Sequence, residues 1–347
     1  MSAEKNFYTF LENVRAYQSL SIIGMSKNVG KTTTLNAMLA YYRGKIKIGL
    51  TSIGRDGEDT DLVTLTEKPK IYIEEGTIIA SAKRCLMNSD MTRKILEATG
   101  INTPMGEIII FEALGDGYVD LGGPSVNAHL IELCQSLKTV GCDLLIIDGA
   151  LSRKTFASPG VTEATILATG ASLNSNMDEV IEETVYTLDL LGLETEKDQG
   201  IIEKAQAIYE QGKVGIITKA GMIKLLPVIT ALESAQEVIE ALDEETAYVV
   251  IQGALSNKFL DCMAQKIKKY KDLIFLVEDG TKIFVQREVY HKFLKLGGSI
   301  KVMKGINVLC VTINPQSPFG YRFPSDLFRE KLQARVKVPV FDVVTGG

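Results

Sequence analysis

The chain has 347 residues, of which 46% are hydrophobic and 23% are charged. This length and composition allow a substantial buried core, so we expect a globular protein with two domains or one large elaborated domain. The net charge of −5 gives no general attraction for a polyanion, which argues against nucleic acid and against an anionic membrane as main partners.

The sequence offers little for membrane targeting or for thiol and histidine chemistry. Residues 1–16 mix charged with aromatic side chains, and no later stretch reaches about 18 consecutive apolar residues. The five cysteines form no CxxC pair and there are only two histidines, so we expect neither a metal-thiolate site nor a histidine-based triad. We therefore expect a cytoplasmic protein.

Apolar runs alternate with amphipathic stretches, which is typical of strand-helix-strand units around a mainly parallel sheet. In the first unit, residues 20–24 are predicted as a buried strand, residues 31–42 as a helix and residues 45–52 as the next strand. Hairpin-like turns near residues 75–76 and 115–117 predict an inserted antiparallel extension. The predicted fold class is therefore α/β, with a mostly parallel sheet flanked by helices. Further strands are predicted at residues 70–73, 77–80, 107–113, 143–148, 164–169, 214–218, 248–252, 273–277, 308–313 and 338–343.

The segment GMSKNVGKT, residues 24–32, joins the first strand to the first long helix. A glycine-bounded loop before a helix brings backbone N–H groups and the positive end of the helix dipole to one point, which suits a polyphosphate. Lys31 would reach the terminal phosphates, and the Thr32 hydroxyl would complete the coordination of Mg²⁺. We predict a phosphate-binding loop whose nucleotide contacts come from Gly24, Ser26, Lys27, Asn28, Val29, Gly30, Lys31, Thr32 and Thr33.

Five residues separate the two glycines of this loop, whereas the usual form has four. The spacing resembles the loop of dethiobiotin synthetases and of cobyrinic and cobyric acid amide-forming enzymes, members of the SIMIBI class of P-loop NTPases. The resemblance implies a mostly parallel sheet, binding of ATP or GTP with Mg²⁺, and frequent use of a homodimer. Lys27 lies one place later than the signature lysine of septum-site ATPases, and Ser26 occupies the matching position.

An acidic loop at residues 51–61 follows the second strand. Ligands of open parallel sheets gather beyond the carboxyl ends of the strands, so this loop is well placed to meet the nucleotide. The resemblance to the SIMIBI class implies that the segment after the second strand carries a switch acid, which touches Mg²⁺ or orients the attacking water. Asp56 is the predicted switch acid, and Glu58 is the second choice. The alternative is an ordinary solvated loop.

Residues 122–127, with the sequence GGPSVN, precede a helix predicted at residues 126–137. Ser125 is either a plain N-cap or a contact for the anion of a substrate or partner. With residues 24–34 and 51–58, this segment is also faintly similar to the accessory reactivating subunits of adenosylcobalamin-dependent amino-acid aminomutases. That resemblance favours an ATP-driven accessory protein.

The apolar run at residues 142–148 ends in Asp148, followed by a glycine and an alanine. An acid at the end of a buried strand can hold its carboxylate beside the Mg²⁺ shell, and we predict this role for Asp148. The run is similar to one in dethiobiotin synthetases that ends Glu-Gly-Ala. Arg153 is either a group that stabilises the transferring phosphate or part of the solvated surface.

The last informative strand, at residues 308–313, ends in Asn314 and Pro315. It is similar to the strand of ATP-using SIMIBI members that places an asparagine against adenine, so Asn314 is a predicted nucleotide contact. Residues 256–261 match the guanine-reading Asn-Lys-x-Asp run only with one residue too many. ATP is therefore favoured over GTP.

We divide the chain into a nucleotide-binding core (1–195), a second α/β lobe of unknown role (196–305) and a segment that completes the core (306–347). Helices are predicted in the lobe at residues 196–211 and 227–242.

Three functions are compatible with these features. The first is a Mg²⁺-dependent ATPase that acts as a switch on a protein partner or a second subunit, with Lys31, Asp56 and Asp148 as catalytic residues and with Thr32, Asp56 and Asp148 as metal ligands. The second is a ligase that activates a carboxylate by phosphorylation, with a small-molecule pocket formed by Glu112, Ser125, Asn127 and Arg153. The third is a non-catalytic nucleotide sensor.

Overall fold

The computed structural model describes residues 7–54, 71–150, 161–229, 235–270 and 272–344. The predicted switch acids Asp56 and Glu58, and Arg153, lie outside these ranges. The chain forms two compact units, unit 1 with Met1–Thr184 and Val308–Gly347, and unit 2 with Val185–Asn307. None of the helices within the described ranges is long and apolar enough to span a bilayer.

Unit 1 is built on a nine-stranded sheet with a small two-stranded sheet beside it. Its strands are β1 (Ser19–Gly24), β2 (Ile48–Ser52), β3 (Ile71–Ile73), β4 (Ile78–Ala82), β5 (Arg93–Thr103), β6 (Gly106–Ala113), β7 (Gly117–Val119), β8 (Leu144–Ala150), β9 (Ala164–Gly170), β17 (Val308–Asn314) and β18 (Val340–Asp342). Its helices are α1 (Phe7–Val14), α2 (Lys31–Tyr42), α3 (Lys83–Met87), α4 (Asn127–Thr139), α10 (Ser325–Gln333) and α5 (Met177–Leu191), in which the border between the units falls.

The large sheet has the order β18-β17-β9-β1-β8-β2-β4-β6-β5. All pairs from β18 to β4 are parallel, while β6 pairs antiparallel with both β4 and β5. The predicted α/β fold with a large, mostly parallel sheet is therefore confirmed. The hairpin of β5 and β6 makes the sheet mixed at one end.

Helices cover both faces of this sheet, which explains why its central strands are continuous apolar runs. On one face, Leu144 and Ile146 of β8 belong to the same core as Leu35 of α2. On the other face, Leu145 and Ile147 of β8 belong to the core that contains residues of α4. The alternation of side chains along one strand thus serves two separate cores.

Unit 2 contains a five-stranded sheet of order β11-β10-β12-β14-β16, in which β12, β14 and β16 are parallel and β10 is antiparallel to both of its neighbours. The strands of unit 2 are β10 (Gly215–Thr218), β11 (Ile223–Leu225), β12 (Thr246–Val250), β13 (Leu255–Ser256), β14 (Ile274–Val277), β15 (Ile283–Phe284) and β16 (Ser299–Val302). Its helices are α6 (Gln199–Glu210), α7 (Ala235–Ala241), α8 (Asn257–Ala264), α9 (Arg287–Lys295) and the short 3-10 turns Ile267–Lys269 and Gly280–Lys282.

Of the helix predicted at residues 227–242, the described residues contain α7 (Ala235–Ala241), whereas residues 227–229 are not helical, so the prediction is wrong for them. The reason is a backbone pairing with a distant residue: Leu226 N–H donates to the Val214 carbonyl, and Val214 N–H donates to the Val228 carbonyl. These two hydrogen bonds continue the pairing of β10 with β11 and leave no helical conformation for the segment.

Candidate functional site

The predicted phosphate loop lies at the centre of the large sheet. Gly24 ends β1 and is in register with Ala150 of β8 on one side and with Ala168 of β9 on the other. The next residue, Met25, donates its N–H to the Ala168 carbonyl at 2.9 Å, and α2 begins at Lys31. Residues 24–30, which we call loop 24–30, therefore emerge at the carboxyl ends of parallel strands, where α/β sheets bind ligands.

Both glycines of loop 24–30 are required by their surroundings. A Cβ atom at Gly24 would lie 2.6 Å from Cγ and Cδ of Lys31, so the Lys31 side chain folds back over this glycine. Gly30 has a φ of +91°, in the left-handed region, and a Cβ there would lie 3.1 Å from the Asn314 Cβ. The loop thus makes a tight turn at Gly30, and the side chain of Lys31 lies along the loop backbone at Gly24.

The amino end of α2 directly follows loop 24–30. Gly30 is the N-cap, and in the described part of the chain no side chain caps the helix. The first backbone hydrogen bond of the helix runs from Thr34 N–H to the Gly30 carbonyl at 2.9 Å, so the N–H groups of Lys31, Thr32 and Thr33 precede it. Such N–H groups and the helix dipole together attract negative charge.

Asp148 lies on the strand next to β1. It is in register with Ile22 of β1 and with Ser52 of β2, and its Oδ1 is buried without a hydrogen-bond partner among the described residues. Burial raises the pKa of the Asp148 carboxyl, and the nearby positive charge of Lys31 lowers it by a smaller amount, so the net shift is upward. The structure therefore places the Asp148 carboxyl, with its buried Oδ1, within the electrostatic range of Lys31.

Two residues from neighbouring strand ends hold loop 24–30. The Lys27 carbonyl accepts a hydrogen bond from Ser172 Oγ at 2.7 Å, and the Asn28 carbonyl accepts one from Asn314 Nδ2 at 2.8 Å. Asn28 itself has a φ of +60°. Ser172 was not among the residues predicted from the sequence, although a polar residue shortly after the end of a predicted strand was the available signal.

The two ends of the Asn314 amide are both engaged in this structure. Nδ2 binds the Asn28 carbonyl, and Oδ1 accepts from Gln316 N–H at 3.0 Å. Asn314 therefore contacts the loop directly, while its contact with adenine stays a prediction.

The remaining loop residues differ in exposure. Val29 is 1% exposed, and its Cγ2 lies 2.8 Å from the position that a Gly24 Cβ would take, so its side chain packs inward. Ser26, Thr32 and Thr33 are half-buried, and Lys27 is exposed. Thr34, in contrast, is buried and donates to Thr312 Oγ1 at 2.9 Å, which ties α2 to β17.

The glycine-rich segment before α4 lies at the end of β2. The Gly54 N–H donates to the Pro124 carbonyl, and Gly123 has no room for a Cβ because the Ser52 carbonyl is directly beside it. The N-cap of α4 is Val126, so of the two alternatives for Ser125 the structure does not show the N-cap, and its contact with an anion stays a prediction.

The structure does not bring Glu112 to loop 24–30. Glu112 pairs with Ile78 of β4, which is level with Gly49 of β2, at the amino end of the parallel strands. Loop 24–30 lies at their carboxyl end. The prediction that Glu112 lines a pocket beside the terminal phosphate is therefore wrong.

No protein-family model and no curated protein matches this chain. Within the described residues, no group of three or more His, Cys, Asp or Glu side chains could hold a metal ion. A Mg²⁺ ion that is shared with phosphate oxygens needs fewer protein ligands, because water and phosphate complete its six oxygen ligands.

Proposed function

We propose that this protein binds ATP, in preference to GTP, together with Mg²⁺ and hydrolyses it, and that it acts as a switch on a protein partner or a second subunit. The observation that supports this most strongly is the unpartnered, buried Oδ1 of Asp148 on the strand beside loop 24–30. An acid in this position costs free energy unless a cation or donor meets it.

The loop and the first turn of α2 would receive the phosphates. The N–H groups of Lys31, Thr32 and Thr33 precede the first helical hydrogen bond, so they are free of intrahelical partners. Lys31 adds a full positive charge, and its side chain already lies along the loop over Gly24. These groups bind and orient a triphosphate by electrostatic attraction.

The oxygen ligands for Mg²⁺ would be the Thr32 hydroxyl and the Asp148 carboxylate, the second of which has a free buried oxygen. A bound Mg²⁺ ion would neutralise charge on the terminal phosphates. Both residues supply the hard oxygen atoms that this ion prefers. The role of Asp56 in orienting the attacking water is part of this proposal and concerns a residue outside the described ranges.

The ATPase is preferred to a carboxylate-activating ligase because the ligase loses a predicted pocket residue. Glu112 lies at the amino end of the parallel strands, whereas loop 24–30 lies at their carboxyl end. An ATP-driven switch needs no small-molecule pocket beside the terminal phosphate, so this position of Glu112 does not weaken it.

Calorimetry with Mg-ATP tests the proposal. We expect the wild-type protein to bind Mg-ATP and to release phosphate, and we expect Lys31→Ala to weaken binding by about 100-fold or more, because a charge-assisted contact to phosphate is lost. Lys138→Ala is the matched control, since Lys138 lies on the exposed end of α4. Equal binding by wild type and the Lys31 variant, or no binding by either, would falsify the proposal.

A further inference from the structure

We propose that Asn314 is a positioning residue: its side-chain amide holds loop 24–30 in the conformation that presents N–H groups to the phosphates. This inference rests on the proposed function and deepens it. The key contact is the hydrogen bond from Asn314 Nδ2 to the Asn28 carbonyl, which joins the end of β17 to the loop at 2.8 Å.

The direction of two carbonyl groups decides the direction of two N–H groups. In a trans peptide the C=O and the following N–H point in opposite directions, and all peptides of the described chain are trans. The Lys27 carbonyl points to Ser172 and the Asn28 carbonyl points to Asn314. The N–H groups of Asn28 and Val29 must therefore point away from these two residues.

The strand order of the sheet shows which strand lies on the side away from Ser172 and Asn314. Ser172 follows β9 and Asn314 ends β17, and both strands lie on one side of β1 in the sheet. β8, which carries Asp148, lies on the other side of β1. The N–H groups of Asn28 and Val29 consequently face the Asp148 side, where the proposed Mg²⁺ and phosphates would be.

Asn314 is itself held rigidly, as a positioning residue requires. Its carbonyl accepts the Ala171 N–H at 2.9 Å, its Oδ1 accepts the Gln316 N–H, and a Cβ on Gly170 would lie 2.5 Å from the Asn314 carbonyl oxygen. The donor is therefore fixed before any ligand binds, which lowers the entropy cost of ordering the loop. The hydrogen bond from Asn314 to the Asn28 carbonyl also offsets the free-energy cost of the left-handed conformation of Asn28.

This role is separable from contact with a base. A residue that acts through the loop affects every ligand that carries the phosphates, whereas a residue that contacts adenine affects only ligands with that base. Inorganic tripolyphosphate with Mg²⁺ has the phosphates without the base, and it is therefore the discriminating probe.

The experiment measures binding of Mg-ATP and of Mg-tripolyphosphate by calorimetry to the full chain and to Asn314→Ala. We expect the variant to lose about fivefold in affinity for both ligands, the effect of one hydrogen bond, with an unchanged circular dichroism spectrum. Ser172→Ala, at a half-buried position, removes the second contact to the loop and is expected to weaken the binding of both ligands as well. Asn88→Ala, at the exposed end of α3, is the control and should change neither.

Each other outcome overturns the inference. Weaker ATP binding with unchanged tripolyphosphate binding assigns Asn314 to the base, and unchanged binding of both ligands removes any role for it. A wild-type chain that binds ATP but not tripolyphosphate shows that the loop does not recognise phosphate by itself. Failure of the wild type to bind either ligand is different, because it refutes the proposed function together with this inference. If Asn314→Ala does not fold, the Ser172→Ala result decides.

Discussion

Two acids, one in each unit, are held in opposite ways. In unit 2, Glu196 is 6% exposed and every oxygen is used: Oε1 accepts from the N–H groups of Lys197 and Asp198, and Oε2 accepts from the Tyr248 hydroxyl and lies 3.4 Å from Lys301 Nζ. In unit 1, Asp148 keeps a buried Oδ1 without a hydrogen bond from any described residue. The first acid is a structural element, and the second is retained at a cost to stability.

The pKa shifts of these two acids express the same contrast. For Glu196, burial raises the pKa, but the hydrogen bonds and the charge of Lys301 outweigh burial and bring the pKa below its ordinary value. For Asp148, burial also raises the pKa, and the charge of Lys31 does not compensate. Burial alone therefore does not separate the two acids; they differ in the hydrogen bonds their oxygens accept and in the position of Asp148 near the carboxyl ends of the parallel strands.

Among the variants that test this contrast between the two acids, Asp148→Asn is expected to have the largest effect. We expect Mg²⁺-dependent ATP affinity to fall about 100-fold and phosphate release to stop, because the carboxylate ligand is replaced by a neutral amide. The measurement is calorimetry with ATP in the presence of Mg²⁺ and again with a chelator. Asp178→Asn, at an exposed position of α5, should behave as wild type. An Asp148 variant that binds Mg-ATP normally removes the functional interpretation of this acid.

Glu196→Ala should give the opposite result. It leaves two N–H groups and a hydroxyl without their acceptor and leaves Lys301 paired with Glu194 alone, so we expect unit 2 to lose about 2–3 kcal/mol of unfolding free energy. ATP affinity should stay unchanged. Urea denaturation followed by fluorescence or circular dichroism measures the loss. A variant as stable as the wild type would mean that these contacts do not contribute to the free energy of unfolding.

Gly24→Ala tests the geometry of the loop with a smaller change. The new Cβ would collide with Cγ and Cδ of Lys31 at 2.6 Å, so the lysine must move away from the phosphates. We expect about a tenfold loss of ATP affinity, which corresponds to about 1.4 kcal/mol. Gly115→Ala is the matched control, because no atom lies within 4 Å of its Cβ position. Equal affinities for the two variants would contradict the placement of Lys31 over Gly24.

The smallest expected effects are on the way the free energy of unfolding changes with pH. The sign of this change differs for the two acids. The raised pKa of Asp148 means that the folded state binds a proton more readily than the unfolded state. The contribution of Asp148 to the free energy of unfolding therefore falls as the pH rises from about 4 through the raised pKa. At neutral pH, Asp148→Asn should therefore raise the melting temperature by about 3 °C.

The lowered pKa of Glu196 acts in the other direction. Its stabilisation is complete above the ordinary pKa of about 4.3 and is lost as the pH falls through the lowered value, so Glu196→Gln should reduce the acid sensitivity of unfolding. Melting curves at pH 3 to 8 measure both variants. Slopes of the same sign for the two residues would refute the contrast between the two acids.

Two mostly buried strands of the large sheet were predicted to within one residue. The predicted strand at residues 20–24 is β1 (Ser19–Gly24), and the one at residues 308–313 is β17 (Val308–Asn314). Continuous apolar runs mark such strands, because helices cover the sheet on both sides. β5 was missed, since it is an edge strand with mostly exposed or half-buried residues and has no apolar run to signal it.

The sequence by itself determined the alternation of strands and helices, the glycine-bounded loop between the first strand and α2, and the acid near the carboxyl end of β8, because each is a local pattern of a few neighbouring residues. Only the tertiary structure decided that Asn314 and Ser172 hold this loop, that Glu112 lies at the opposite end of the sheet, and that residues 226–228 pair with Val214. These features depend on hydrogen bonds and strand register between segments far apart in the chain, which no local pattern of side chains specifies.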